Sequence, residues 1–236
     1  MSGPNGVRKT AVVVGATGNI GRAVCQALQA NGFDLDPTWL SADRPDVTRA
    51  SAYAGLPKRI DFAIYLAGIN RIAPAERMAE ADFDDVLAVN LKGAFLFFQA
   101  AHAGLVASGQ GSAVAISSIM ATHPYPGRLP YAVSKAGLEA MVRTLAVEWG
   151  AQNIATHALR LGHMAGLMRT TVANPRLLDA VKEHSPLGRL IEPEQVAHYV
   201  LWLAQGGCHA VSGSVIDFEP GYTLNRWPLP QPPLYD

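Results

Sequence analysis

Two hydroxyls and an ammonium stand at spacings that could do chemistry. Ser118 lies thirteen positions ahead of Tyr131, and Lys135 follows Tyr131 by four. On a helix, positions four apart share a face, so an ammonium would stand beside a phenol. A free tyrosine titrates near ~10, and a neighbouring cation lowers a pKa by about 1 to 3 units. Lys135 therefore supplies part of what Tyr131 needs to act as a general acid or base, and a second cation or a bound cofactor must supply the rest. The segment Ser112-Ala113-Val114-Ala115-Ile116-Ser117 is short, apolar and β-branched, which predicts a buried strand with Ser118 at its end. The tyrosine–lysine pair alone is weak evidence, because surface helices carry such pairs by chance. The rest of the chain decides.

What must position these groups is a series of alternating strands and helices. Thr10 to Val14 reads as a buried strand, followed by the turn Gly15-Ala16-Thr17-Gly18-Asn19-Ile20-Gly21 and a helix over Arg22 to Ala30. That order suits a pyrophosphate, which needs a tight turn, a close-lying backbone and helix N–H groups aimed at the anion. A weak second strand is expected near Thr38 to Ala42, ending in Ser41-Ala42-Asp43-Arg44, with Asp46-Val47-Thr48 just beyond. An acidic residue there can hold the adenosine ribose diol and an arginine a 2′-phosphate, so Asp43 and Arg44 favour opposite cofactors. Ile60 to Leu66 is a third strand, closed by Ala67-Gly68-Ile69-Asn70, small enough for a ligand to lie against. Ala75 to Ala107 is helical, with Asn90 on an apolar turn, where the plain account is a satisfied core amide.

After Ser118, the loop His123-Pro124-Tyr125-Pro126-Gly127-Arg128 would wall a pocket at the strand end. The Tyr131 helix runs on to Trp149, and Ile154 to Leu161 is a strand closed by Gly162-His163. Residues 163–190 carry no strong strand and could fold over a ligand as a lid. Pro193 suits the first turn of a helix, and Gly213 to Phe218 is a last strand. Residues 1–9 read as a loose lead-in, and 224–236, with Pro228, Pro230, Pro232 and Pro233, as an extended tail. With no internal repeat or boundary, one α/β domain over 1–236 is expected.

Composition narrows the function. Apolar residues make up 49% of the chain and the formal charge is zero, so a nucleic-acid or anionic-membrane surface is not indicated and the partner is a small molecule. Cys25 and Cys208 lie far apart without ligand spacing, which argues against a disulfide framework or a metal site. Ala11 to Val14 is too short for a signal-peptide core, and Gly93 to Ala107, interrupted by Gln99, His102 and Gly104, is too short to cross a bilayer. The expectation is a soluble, cytoplasmic protein.

Together the motifs resemble the short-chain dehydrogenase/reductase family from about Thr10 to Thr223. The glycine turn, Ala67-Gly68, Val89-Asn90-Leu91-Lys92-Gly93, Ser118, Tyr131-x-x-x-Lys135, Gly162, Pro186-Leu187-Gly188-Arg189 and Gly221-Tyr222-Thr223 occur in family order. The resemblance implies a Rossmann-type doubly wound, mostly parallel sheet with helices on both faces, and NAD(P)(H) across the strand ends. It implies that Ser118 orients the substrate carbonyl, Tyr131 exchanges the proton, Lys135 binds the nicotinamide ribose and lowers the tyrosine pKa, and Asn90 anchors a proton-relaying water. Cofactor contacts are then expected from Gly15, Thr17, Asn19, Ile20, Gly21, Asp43, Arg44, Asp46, Val47, Ala67, Gly68, Tyr131, Lys135 and Gly162. Substrate contacts are expected from His123, Tyr125 and His163.

The chain also departs from the family pattern. Glycines at 15, 18 and 21 are spaced as in the family's extended members, Tyr65-Leu66 replace the usual Asn-Asn, Leu161 replaces a proline, and Gly166 stands where a threonine often contacts the carboxamide. The helix between the second and third strands is nearly deleted, which leaves the adenosine end more open. None of this touches Asn90, Ser118, Tyr131 or Lys135. The expected function is an NAD(P)(H)-dependent interconversion of a secondary alcohol and a ketone, with a slight lean to NAD(H) because Asp43 would repel a 2′-phosphate. Two other uses of the fold stay open: a nucleotide-sensing or scaffold protein without turnover, and an epimerase or dehydratase that recycles its cofactor. The apolar faces of Gly93 to Ala107 and Leu138 to Trp149 resemble the helices through which family members pair, so a homodimer or homotetramer is expected.

Overall fold

The computed structural model describes residues 8–41, 43, 45–165, 175–207 and 209–225. Six apolar runs, β1 (Lys9–Val14), β2 (Phe33–Leu35), β3 (Phe62–Tyr65), β4 (Gly111–Ser118), β5 (Ile154–Leu161) and β6 (Ser214–Phe218), pair in the order β2-β1-β3-β4-β5-β6. Every pairing is parallel. The residues of β3 and β4 are buried throughout, as a parallel sheet covered on both faces requires. The helices are α1 (Asn19–Ala30), α2 (Glu80–Leu87), α3 (Gly93–Ser108), α4 (Leu129–Trp149), α5 (Pro175–His184) and α6 (Pro193–Ala204). Val24 and Leu28 of α1 pack with Val196, Val200 and Leu203 of α6 on one face of the sheet. Phe97, Phe98 and Leu105 of α3 pack with Leu138 and Val142 of α4 on the other.

This is the doubly wound Rossmann-type sheet expected from the sequence. After β1 the chain moves outward to β2, then returns to lay β3 on the opposite side of β1. The carboxyl ends at that switch point form the natural crevice for a ligand. Gly15 and Ala67-Gly68 follow the two strands that flank it.

The second strand is not where the sequence placed it. Pro37–Trp39 is a 3-10 turn and β2 ends at Leu35, so Thr38 to Ala42 is not a strand. The physical reason is local: proline cannot donate to a ladder, and the Asp36 carboxylate caps the turn by accepting from the Thr38 amide at 2.9 Å. Trp39, which made the segment look strand-like, is instead fully buried and stacks on Tyr53 at 5.3 Å. Between β2 and β3 the described residues form only the 3-10 turns Pro37–Trp39 and Ala50–Tyr53, so the nearly deleted helix is borne out. The Trp39–Tyr53–Phe97 aromatic series packs in its place.

Two further boundaries differ. The helix expected from Ala75 begins at Glu80 and runs through a π-turn, Ala88–Lys92, to Ser108. This continuous run of 29 residues extends well beyond the apolar stretch Gly93 to Ala107 judged too short in the sequence, and is long and apolar enough to cross a membrane by length and composition alone. Its inner side chains Ala94, Phe97, Ala101 and Leu105 are spent on the sheet. In the segment expected to form a lid, Met164 bridges to Ile191 and Pro175–His184 is helical, while residues 166–174, Gly166 among them, lie outside the described residues. The expected lead-in and Pro-rich tail fall largely outside them too.

A buried ionic cluster ties α4 to the sheet. Arg160 of β5 meets the Glu139 carboxylate with two hydrogen bonds, at 2.9 and 2.8 Å, and reaches Asp217 of β6 at 2.8 Å. The Ser117 hydroxyl donates to the same glutamate at 2.8 Å. Removing one partner of a buried pair strands the other charge, whereas replacing both is far milder. Arg160→Met should therefore lower the unfolding free energy by about 3–5 kcal/mol in denaturant titrations, with much of the loss recovered in the Glu139→Met/Arg160→Met double variant. A double variant as unstable as the single one would refute this account.

Candidate functional site

The sheet's switch point opens into a cleft of ≈ 520 Å³ lined by the glycine turn, the ends of β3, β4 and β5, and the start of α4. At one end the backbone is packed too closely for side chains. Gly15 holds φ +91°, and a Cβ there would lie 2.7 Å from the Ala67 amide nitrogen. A Cβ on Gly21 would collide with the Gly15 carbonyl oxygen, so the first turn of α1 lies directly against the turn that precedes it. Helix α1 begins at Gly18 with no side-chain cap. A close-lying glycine backbone and an uncapped helix start fit a dinucleotide pyrophosphate.

At the other end the reactive side chains converge. Ser118 closes β4, is 8% exposed, and is hydrogen-bonded to Tyr131. Its Oγ also accepts from the Met120 amide at 3.2 Å, which starts a 3-10 turn and fixes the hydroxyl at the strand end. Tyr131 and Lys135 sit one turn apart on α4, with the ammonium 5.5 Å from the phenol ring centre. Lys135 is buried and donates to the Ile116 carbonyl at 2.7 Å. Desolvation pulls its pKa down to about 8.

The electrostatics at Tyr131 differ from the sequence expectation. Burial is the largest influence and raises the phenol pKa, while the Ser118 hydrogen bond and the nearby Arg128 charge oppose it. Arg128 is thus a second cation that eases Tyr131 ionisation, beside the Lys135 ammonium one turn along the helix. The loop-to-helix junction places Arg128 there, as the residue that precedes the first turn of α4.

Asn90 is held in the π-turn between α2 and α3 and is completely buried. Its Oδ1 accepts from the Ile69 amide at 2.8 Å, while its Nδ2 donates to the Ile69 carbonyl and the Ser134 hydroxyl, both at 3.0 Å. Both of its N–H groups are therefore committed, and the side chain clamps the loop after β3. Lys135 converges on the same point: a Cβ on Gly68 would lie 3.5 Å from Asn90 Oδ1 and 3.7 Å from Lys135 Nζ. Two tyrosines support this turn from beneath. Tyr65 donates to the Val89 carbonyl at 2.6 Å, and Tyr53 donates to Val47 at 2.9 Å and to Gly93 at 3.2 Å.

The expected contacts divide. Gly15, Asn19, Ile20, Gly21, Gly68, Tyr131, Lys135, Gly162 and His163 line the cleft with Ser118. Thr17, Asp43, Asp46, Val47 and Ala67 do not line it, and Arg44 lies outside the described residues. Asp46 instead caps a turn through Thr48 and pairs with Arg49 at 3.4 Å, and Val47 takes the Tyr53 hydroxyl. Tyr125 meets the cleft only through His163, its hydroxyl 2.9 Å from Nε2, and His123 turns to Thr122 at 3.0 Å. Desolvation lowers the His163 pKa to about 4, so the ring is neutral at physiological pH. Asn70, in the stretch expected to lie against a ligand, lines the cleft, while sequence reasoning missed Met120 and Met164 in the lining and took Arg128 only as part of the wall. It also missed Asp36 at the end of the true second strand, whose Oδ2 is buried without a partner. The signal was present in the Asp36-Pro37 pair, which marks a strand stop.

Comparison with known proteins places these features in a family setting. Residues 47–223 match a family model described as enoyl-(acyl carrier protein) reductase. D-threitol dehydrogenase of Mycolicibacterium smegmatis is 30% identical over 249 residues, covering 92% of this chain and 93% of that protein. The (3R)-3-hydroxyacyl-CoA dehydrogenase of Canis lupus familiaris is 33% identical over 257 residues, covering 94% and 99%. The crystal structure of gluconate 5-dehydrogenase from Burkholderia cenocepacia in complex with NADP and tartrate superposes with a TM-score of 0.84 over 92% and 95% of the two chains at 21% identity, which shows a shared fold.

The lowered Lys135 pKa has a measurable sign. Between about 8 and the ordinary value of 10.5, Lys135 is largely neutral when folded and charged when unfolded, so the unfolded chain binds more protons and stability rises with pH. Lys135→Met removes that rise. Relative to the variant, the wild-type protein should gain stability on the order of 3 kcal/mol as pH is raised through this window. Parallel stability–pH curves for the two proteins would mean that the ammonium is not desolvated.

Proposed function

Because this chain belongs to the short-chain dehydrogenase/reductase family, we propose that it is an NAD(P)(H)-dependent oxidoreductase interconverting a secondary alcohol and a ketone at Asn90, Ser118, Tyr131 and Lys135. The observation that supports this reading is the convergence of the hydrogen-bonded Ser118–Tyr131 pair with Lys135 on one cleft, with Asn90 buried behind it beside Gly68. The nicotinamide cofactor, when bound, supplies or accepts the hydride. The protein's part is orientation and proton transfer: Ser118 holds the carbonyl oxygen and Tyr131 Oη delivers the proton to it. Burial keeps that phenol protonated at neutral pH, the form a reduction requires. Lys135 holds the nicotinamide ribose, and Asn90 keeps the loop after β3 in place. The names of the threitol and hydroxyacyl-CoA dehydrogenases agree with a hydroxyl-to-carbonyl reaction.

The slight lean to NAD(H) now rests on a different residue. Asp43 is exposed and eight positions beyond the end of β2, whereas Asp36 follows that strand directly. A carboxylate at the end of the second strand favours a ribose diol over a 2′-phosphate. Self-association is supported by a groove between α3 and α4 lined by Phe95, Phe98, Met141, Leu145 and Trp149, with Phe95 47% exposed. A homodimer or homotetramer through this face is the proposed assembly.

Fluorescence titration with NADH and NADPH, followed by a carbonyl panel, tests the reading. Tyr131→Phe should retain cofactor binding while turnover falls by about 10²–10⁴-fold. Wild-type protein that binds neither reduced cofactor, or a variant with unchanged turnover, would sink the proposal.

A further inference from the structure

The cleft holds cations and no acid. Among the described residues lining it, Lys135 and Arg128 are the basic side chains, and neither aspartate nor glutamate is present. Lys135 is committed to Ile116. Arg128 is half-buried, and among the described residues its guanidinium has no ion-pair partner. Neighbouring arginines are engaged otherwise. Arg22 bonds Asn19, Arg71 reaches Asp82 at 3.2 Å and Asp85 at 3.5 Å, and Arg160 holds Glu139. Glu219 packs against Gly162, but its carboxylate accepts from the Thr223 hydroxyl at 2.9 Å.

A half-buried guanidinium beside an apolar wall of Ile69, Ile72, Ile119 and Met120 is partly desolvated without compensation. We propose that Arg128 is the anchor for a substrate carboxylate, so that the substrate is a short oxo acid or the corresponding hydroxy acid rather than a neutral ketone. The inference deepens the oxidoreductase reading and rests on it. Arg128 is the residue that caps the start of α4, three positions before Tyr131, and both side chains line the same cleft. A carboxylate on the guanidinium therefore lies only a few bonds from a carbonyl held by Ser118 and Tyr131. The planar fork of arginine matches a carboxylate in a bidentate pair, and with Lys135 already engaged there is no second free cation of the kind a phosphate dianion would use. Arg128 also acts on Tyr131 electrostatically.

The test compares 4-oxopentanoate with methyl 4-oxopentanoate, and 3-oxobutanoate with its methyl ester, in wild-type, Arg128→Leu and Arg128→Lys proteins with saturating reduced cofactor. The wild type should prefer each acid over its ester by at least about tenfold in kcat/KM, the size expected of one charge-assisted pair. Arg128→Leu should abolish that preference, chiefly through KM, and Arg128→Lys should restore part of it. Any change at Tyr131 affects acid and ester alike, so the ratio reports the carboxylate alone. An acid-to-ester ratio near one in the wild type, a ratio unmoved by Arg128→Leu, or a preference for dihydroxyacetone phosphate over every oxo acid would overturn the proposal. If no carbonyl compound is turned over, the oxidoreductase reading fails separately. Calorimetric titration of pentanoate into the cofactor-bound and cofactor-free proteins then decides the anchor: binding lost in Arg128→Leu supports it, and equal binding in both proteins overturns it.

Discussion

A lysine ammonium taken out of water must be met by a polar group, and in this protein the carbonyl of Ile116 meets that of Lys135. That requirement sets helix α4 against the end of β4. One turn further along the helix, Glu139 repeats the attachment through Ser117 and Arg160, so two consecutive turns are locked to the sheet. With the helix held in this register, Tyr131 has no choice but to lie over Ser118. The reactive geometry follows from burying charge in the scaffold.

The opposite side of the cleft is organised by aromatic hydroxyls. An abrupt π-turn interrupts the regular hydrogen bonding of the long helix around Asn90, and π-turns commonly mark functional positions. Tyr65 and Tyr53 supply donors to carbonyls at Val89 and Gly93, while the Asn90 amide is consumed by Ile69 and Ser134. No room is left for adjustment: a Cβ on Gly93 would meet the Tyr65 hydroxyl. Tyr65, which replaces an asparagine of the family pattern, therefore has its own structural use beneath the turn.

The long buried strands were legible because uninterrupted apolar, β-branched runs have few alternatives in a chain of this size. Ile154–Leu161 has in the structure the bounds that its apolar run marks, and the Ser118, Tyr131 and Lys135 spacing stands in the sequence itself. The second strand was not, since Phe33–Leu35 is three residues long with an exposed aspartate at its centre. Trp39 and Leu40 offered a stronger apolar signal nearby, but tertiary burial from a turn produced it. The π-turn leaves no trace in periodicity. The influence of Arg128 on Tyr131 was hidden for another reason, because loop residues have no periodic pattern from which a direction can be read. Asp43 was assigned to a ligand on its position at a supposed strand end, and it lost that position when the strand moved.

The shortened connection between β2 and β3 has an evolutionary consequence. Its space is filled by Trp39 and Tyr53, both buried, and the single Tyr53 hydroxyl proton is shared between two backbone carbonyls. Reinserting a helix there would have to evict both aromatics and orphan those carbonyls before any new packing compensated. The short connection thus behaves as a ratchet: with both aromatics in place, lengthening it costs packing and hydrogen bonds at once, and sequences descending from this one are expected to vary around the short connection instead of lengthening it.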